Sequence, residues 1–248
     1  MFKMILGNAW LALALVCLAE AEPNLERRTN SPKYNVLVTD EYDDLGQTLP
    51  VFIPGLQGQI TQDQGVLYNN TLLSTNSEVT VAGLKPQTPP NFAAFLLAGN
   101  LASAGDVASA ATTGLCFQPR KLYFGCQLRT SENAAGVNVP CTLTLTGHNN
   151  VKNRDVGSQS FRFAPSGVLS PVVPAVINPG RLGPSSVVRF ASQLDLDAIE
   201  AGGLLGSLLD KLGLADLTGA LLVTKFDDFS YVQYDKGDYR NCGLDYKH

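Results

Sequence analysis

Residues 120–129 read RKLYFGCQLR and residues 139–146 read VPCTLTLT, and the alternation in these two stretches decides the fold. In the first, Leu122, Phe124, Cys126 and Leu128 share one phase, while Tyr123, Gln127 and Arg129 share the other. In the second, Cys141, Leu143 and Leu145 alternate with Thr142, Thr144 and Thr146. Successive side chains of a strand point to opposite faces, so a period of two with threonine on one side predicts half-buried strands of a sandwich. Phe161 with Phe163 and Val188 with Phe190 continue the pattern. Val36 and Val38 predict a first strand, and residues 221–234 a last one.

Three stretches break that period. Residues 86–91 are proline-rich and predict a turn, and residues 93–111, rich in Ala, Gly and Ser, predict a loop with one weak helical turn. Residues 195–217 predict a helical insertion. Leu204, Leu205, Leu208, Leu209 and Leu212 form an apolar stripe, with Gly213 as its cap, and Gly202 and Gly203 part it from a shorter turn around Ile199. The stripe predicts a helix covering one end of the sandwich. The competing membrane-surface reading has only Asp210 and Lys211 as charges.

Residues 1–21 predict a secretory signal peptide. Lys3 supplies the basic end, residues 5–18 the apolar segment, and Ala19-Glu20-Ala21 a small-residue cleavage site. Arg27 and Arg28 form a dibasic pair in a polar stretch, so residues 22–28 read as a pro-segment or as an exposed tail. Residues 29–248 are then one β-sandwich domain, and the protein is expected outside the cell or in its wall. The polar end after Tyr234 argues against a lipid-anchor signal, and no transmembrane segment is expected.

The chain carries 18 basic and 22 acidic residues, a net charge of −4, with no basic run. It has no electrostatic footprint for nucleic acid or anionic lipid. Without the signal segment it loses Trp10, both methionines and Cys17, leaving Cys116, Cys126, Cys141 and Cys242. Four cysteines in a secreted chain predict two disulfides out of three possible pairings. Cys126 and Cys141 lie in the apolar phase of neighbouring strands, which favours a bridge between them and leaves Cys116 for Cys242. The first bridge closes a loop of roughly 15 residues, worth about 3 kcal/mol in the chain-entropy picture. Asn69-Asn70-Thr71 is an N-glycosylation sequon, so a glycan on Asn69 and a surface position are expected.

Glu41-Tyr42-Asp43-Asp44 near one end and Phe226-Asp227-Asp228-Phe229 near the other are the chief candidates for chemistry. First and last strands are often neighbours, so Asp43, Asp44, Asp227 and Asp228 are expected to converge. Like charges in contact call for a cation or protons, and a structural Ca²⁺ with oxygen ligands is the cation of choice. The alternative is a pair of solvated turns. His148 reads as a surface loop residue, and no zinc-protease, nucleophile-elbow or phosphate-loop motif occurs. Tyr123, Tyr231 and Tyr234 are candidates for stacking on a sugar, against the plainer reading that they are ordinary half-buried strand tyrosines.

Five stretches together carry a resemblance: Tyr42-Asp43-Asp44-Leu45; Lys121-Leu122-Tyr123-Phe124-Gly125-Cys126; Val139-Pro140-Cys141-Thr142-Leu143-Thr144-Leu145-Thr146-Gly147; Gln159-Ser160-Phe161-Arg162-Phe163-Ala164-Pro165; and Phe226-Asp227-Asp228-Phe229-Ser230-Tyr231. Their order resembles a group of fungal secreted proteins of unknown function with a jelly-roll, galactose-binding-like sandwich. The resemblance implies an all-β jelly-roll-type antiparallel sandwich and makes Asp43, Asp44 and Asp228 the first calcium ligands to test. The leading expectation is a secreted, non-catalytic protein binding cell-wall or extracellular glycan. The alternatives are an effector-like protein that binds another protein, and a carbohydrate-active hydrolase.

Overall fold

The computed structural model describes residues 34–43, 45, 59–75, 83–98, 105–129, 136–167, 169–201, 220–235, 238 and 240–242. The expected signal peptide, the possible pro-segment, Asp44 and the leucine stripe at 204–212 lie outside the described residues. Among those described, fifteen strands and one short helix form an all-β sandwich of antiparallel sheets.

The last strand organises the seven-stranded sheet. β15 (Leu221–Tyr234) runs beside β8 (Cys116–Arg129) along one edge. Its other edge is shared. β6 (Asn91–Ala98) pairs with Leu221 to Phe226, and β1 (Leu37–Asp40) pairs with Phe229 to Val232. The register of β15 shifts at Asp227–Ser230, where Asp228 takes a positive φ of 49°. This bulge inserts one residue, so Phe226 and Phe229 both point inward although they are three apart. The sheet is completed by β4 (Leu72–Thr75), β9 (Val137–Asn138) and β13 (Val173–Val176).

The six-stranded sheet runs β11 (Arg154–Phe163), β10 (Cys141–Asn149), β14 (Val187–Leu194), β7 (Gly105–Thr112), β3 (Val66–Asn69) and β2 (Gln62–Asp63). Its inner residues meet those of the seven-stranded sheet. Phe190 stacks on Phe226 at 5.2 Å, and Phe95, Phe117, Phe124, Phe163 and Phe229 fill the layer between the sheets. Cys126 and Cys141 both face that layer, and their disulfide ties the two sheets together. Beside it the Thr224 hydroxyl donates to Ser192 Oγ across the layer at 2.6 Å. The second disulfide, Cys116–Cys242, holds the C-terminal segment against the start of β8.

One expectation is corrected. Residues 93–111 do not form a loop with a helical turn, because β6 and β7 occupy most of that stretch. Ala93, Ala108 and Ala110 are buried in strands against the aromatic layer, and Ala94 is buried with Val223 in a separate cluster. Strand preference reflects packing on neighbours more than intrinsic backbone tendency. The turn at 86–91 is present as bends over 87–90 with a cis Pro89–Pro90 bond. In the expected helical insertion, the described helix is α1 (Leu196–Ala201), capped by Asp195 Oδ1, which accepts the Ala198 N–H at 3.1 Å.

The two outward faces differ. Over the seven-stranded sheet lies a separate parallel pair, β5 (Gly83–Lys85) with β12 (Leu169–Pro171). Leu84 sits so closely over Gly125 that a Cβ there would stand 2.6 Å from it. Gln127, Arg129, Lys225 and Asp227 are buried on this side. The six-stranded sheet instead turns Thr142, Thr144 and Thr146 of β10, Ser158, Ser160 and Arg162 of β11, and Gln193 of β14 outward as part-exposed or exposed residues.

Candidate functional site

Three of the four acids expected to converge are described, and Asp43 lies near enough to Asp227 and Asp228 for their charges to interact. β1 pairs with β15, and the chain after it, residues 41–43, folds over the bulge where β6 ends. Asn91 fixes this crossing. Its backbone N–H donates to Asp43 Oδ1 at 3.1 Å, and its side-chain amide donates to the carbonyl of Tyr42 at 3.0 Å.

Asp227 is the buried member of the group. Its Oδ2 accepts the N–H groups of Gln87 and Thr88, each at 2.9 Å, and its Oδ1 accepts the N–H of Asp228 at 2.9 Å. Asp228 Oδ1 accepts the Thr88 hydroxyl at 2.7 Å. Burial pushes the Asp227 carboxyl up to about 7, and the charges of Asp228 and Asp43 add to the rise against the N–H donors of Thr88 and Asp228. Asp43 is also raised, first by burial and further by Glu41 and Asp228, against the N–H of Asn91. The pair at 227–228 is therefore a bulge that anchors the 87–88 turn, not a solvated turn of its own.

Of the four expected calcium ligands, Asp43, Asp227 and Asp228 are described, and Asp44 lies outside the described residues. Among the described residues no group of three or more His, Cys, Asp or Glu side chains is placed to hold a metal ion. Backbone N–H and hydroxyl donors meet the like charges of Asp43, Asp227 and Asp228.

The three candidate tyrosines do not form a row. Tyr231 is fully buried and is corrected from ligand contact to core. Its ring packs edge-on to Phe117 at 5.7 Å, because its position opposite Val38 falls on the inner side of β15. Tyr123 lies half-buried on the covered side, beneath Lys121, whose ammonium stands 4.1 Å from the ring centre and donates to its hydroxyl. Tyr234 packs beside the Cys116–Cys242 disulfide.

A buried cluster escaped the sequence reading. The Tyr231 hydroxyl donates to Asp40 Oδ1 at 2.9 Å, Tyr68 donates to Asp40 Oδ2, and the Tyr42 and Tyr68 hydroxyls lie 3.1 Å apart. Asp40 and Asp63 are both buried here. The signal was present: Asp40 shares the phase of Val38, and an acid in the apolar phase of a strand implies a buried carboxylate with donors around it. Burial, with Asp40 next, raises the hydroxyl pKa of Tyr42, Tyr68 and Tyr231 well above the ordinary tyrosine value.

The solvent-facing chemistry lies on the open face of the six-stranded sheet. Thr144 and Ser160 hydroxyls are 2.8 Å apart, and Thr146 donates to Ser158 at 3.3 Å. Near one end of β10, Thr142, Gln193, Asp195 and Asp197 border a depression of about 300 Å³, beside the Arg162–Asp195 ion pair at 2.6 Å. Near the other end a depression of about 290 Å³ is lined by Asn69, Asn70, Ser109, His148, Val187 and Arg189. His148 is not a loop residue. It lies within β10, next to its last residue, and its Nδ1 is 2.9 Å from Asp155 Oδ1, which also accepts from Arg189 Nη2 at 2.8 Å. Asn69, the expected glycan site, is exposed at the end of β3.

No known protein family matches the chain, and no curated protein matches it either. Among solved structures it is similar to an arabinose-bound α-L-arabinofuranosidase of glycoside hydrolase family 51, at 14% identity and a TM-score of 0.33. The match covers 82% of this chain and 31% of that one.

Proposed function

We propose that the protein is a secreted, non-catalytic sandwich that binds an extracellular or cell-wall glycan on the open face of its six-stranded sheet. One observation carries this reading: Thr142, Thr144, Thr146, Ser158, Ser160, Arg162 and Gln193 share an uncovered face ending in a polar depression. Hydroxyls and carboxamides both donate and accept, as sugar hydroxyls do, so such a face exchanges bound water for a polysaccharide chain without leaving either side unpaired. The rings first considered for stacking are buried or covered, so hydrogen bonding supplies most of the affinity, and binding is weak. Secretion fits the two disulfides, and among the described residues no helix is long and apolar enough to cross a membrane.

The protein-partner reading has less support. Among the described residues, exposed large apolar side chains are divided among β1 with the residue before it, β3, β12, β13 and the turn after β10, rather than gathered on one element. The hydrolase reading also has less support: Asp40, Asp63 and Asp227 are buried, and of the two carboxyls bordering the polar depression, Asp195 is already held by Arg162 and the Ala198 N–H.

The test is retention of the mature protein on insoluble chitin, β-glucan and mannan. Retention on one of them, lost in the double variant Thr144→Lys/Gln193→Ala with an unchanged unfolding curve, supports the reading. No retention on any of the three transfers the function to a protein partner.

A further inference from the structure

The open face holds a row of side chains that begins at the glycosylation sequon. Asn69 of β3 lies opposite Ser109 of β7, Ser109 opposite Arg189 of β14, and Arg189 opposite Thr146 of β10. Directly opposed residues share a face, and neighbouring strands are about 4.8 Å apart, so the row runs roughly 14 Å from Asn69 to Thr146 across open sheet. It crosses the depression of about 290 Å³, whose lining includes Asn69 itself, His148 and Arg189. Arg189 is held by Asp155, which also contacts His148, so the polar floor has a fixed arrangement before anything binds.

We infer that Asn69 carries an N-linked glycan whose first sugars lie in this depression, along Ser109, Arg189 and His148. The inference rests on the secretory reading, and is separate from glycan binding at the opposite end of the face. The attachment forms a bond from Asn69 Nδ2 to C1 of the first sugar. It breaks the bond from C1 to the pyrophosphate of a lipid-linked oligosaccharide donor, and the amide proton leaves with the pyrophosphate. Asn69 is exposed and ends its strand where Asn70 turns with a positive φ of 55°, so the folded chain carries the glycan without a clash. Once attached, a sugar on Asn69 has the depression as its nearest concavity. Its hydroxyl and acetamido groups meet a guanidinium, an imidazole and a serine hydroxyl. The glycan thus covers the His148 end of the face and leaves the Thr142–Gln193 end free.

The experiment expresses the full chain in a eukaryotic secretory host, together with Asn69→Gln and Arg189→Ala. Intact mass before and after enzymatic deglycosylation reads occupancy of Asn69. Diethylpyrocarbonate modification of His148, followed by peptide mass spectrometry, reads coverage. The expected result is an occupied Asn69 and His148 modified at least threefold more slowly in the glycosylated protein than in Asn69→Gln. Arg189→Ala, equally glycosylated, should move toward the Asn69→Gln rate. Protein secreted into the medium without a glycan on Asn69 overturns the inference and leaves secretion standing. An occupied Asn69 with equal His148 rates, or an Arg189→Ala rate that stays at the wild-type value, overturns docking of the sugars.

Discussion

The Tyr231 hydroxyl donates to Asp40 Oδ1 at 2.9 Å, and this bond joins the last strand to the first inside the core. The same carboxyl accepts from Tyr68 of the six-stranded sheet, so one buried acid connects β1, β15 and β3. Asp40→Ala leaves the Tyr231 hydroxyl without this acceptor, leaves Tyr68 with the Tyr42 hydroxyl beside it, and opens a small void. It should lower stability by roughly 2–4 kcal/mol. Tyr231→Phe removes one bond to the carboxyl and should cost about 2 kcal/mol. Urea unfolding of both variants checks the order. A Tyr231→Phe protein as stable as the parent would mean that the link contributes nothing.

Alkaline pH should unfold the protein through the same cluster. Burial, and then the nearness of Asp40, raise the folded-state pKa of Tyr42, Tyr68 and Tyr231 above the ordinary tyrosine value. The neutral phenols are favoured by folding, so their contribution is full below the unfolded value near 10 and is lost as pH climbs above it. These three tyrosines should ionise together with loss of the fold. Spectroscopic titration in which all tyrosines ionise while the circular dichroism of the sandwich is unchanged would contradict this.

Between about pH 4 and pH 7 the sign comes from Asp227. Its carboxyl is pushed up to about 7 when folded, chiefly by burial. The folded chain then holds a proton that the unfolded chain has released, so this group's contribution is full below the unfolded value near 4 and is lost as pH rises through 7. The change is on the order of a few kcal/mol. Asp227→Asn, which has no proton to lose, should flatten the dependence across that window. Unfolding free energies at pH 5, 6, 7 and 8 for the two proteins decide it.

Calcium should leave the melting temperature unchanged, because Asp43, Asp227 and Asp228 are already addressed by N–H and hydroxyl donors. Thermal scans with millimolar calcium and with chelator make the comparison. A rise of several degrees with calcium would show that the acidic crossing rearranges to take the ion.

The bridge between Cys126 and Cys141 is the covalent tie between the two sheets. Replacing both by alanine should lower stability by about 3 kcal/mol, from the loop of 15 residues that the bridge closes. Denaturant midpoints give the value. The double variant should still fold, since the aromatic layer beside the bridge is intact.

Much of this sandwich was legible in the sequence. The alternation at residues 120–129 and 139–146 places β8 and β10, the strand expected at 221–234 is β15, and the shared apolar phase of Cys126 and Cys141 accounts for the inter-sheet disulfide. The alanine-rich β6 and β7 were not legible, because their strand state comes from neighbours rather than from their own side chains. The bulge at Asp228 left a trace, since Phe226 and Phe229 break the period of two, but the acidic pair between them drew attention to charge instead.

The sequence by itself determined which side chains of β8 and β10 point inward and which cysteines could meet, because both follow from a local period of two. Tertiary structure alone decided which outward side is free. Leu84 covers Gly125 on one sheet, while Thr142, Thr144 and Thr146 face solvent on the other. Alternation turns threonine in one sheet and Gln127, Arg129 and Asp227 in the other away from the core, and says nothing about a distant segment that returns to cover them. That depends on contacts between residues far apart in the chain, such as the meeting of Thr88 with Asp227. The same long-range pairing places Asn69 at the start of a polar row and buries Tyr231 beside Asp40.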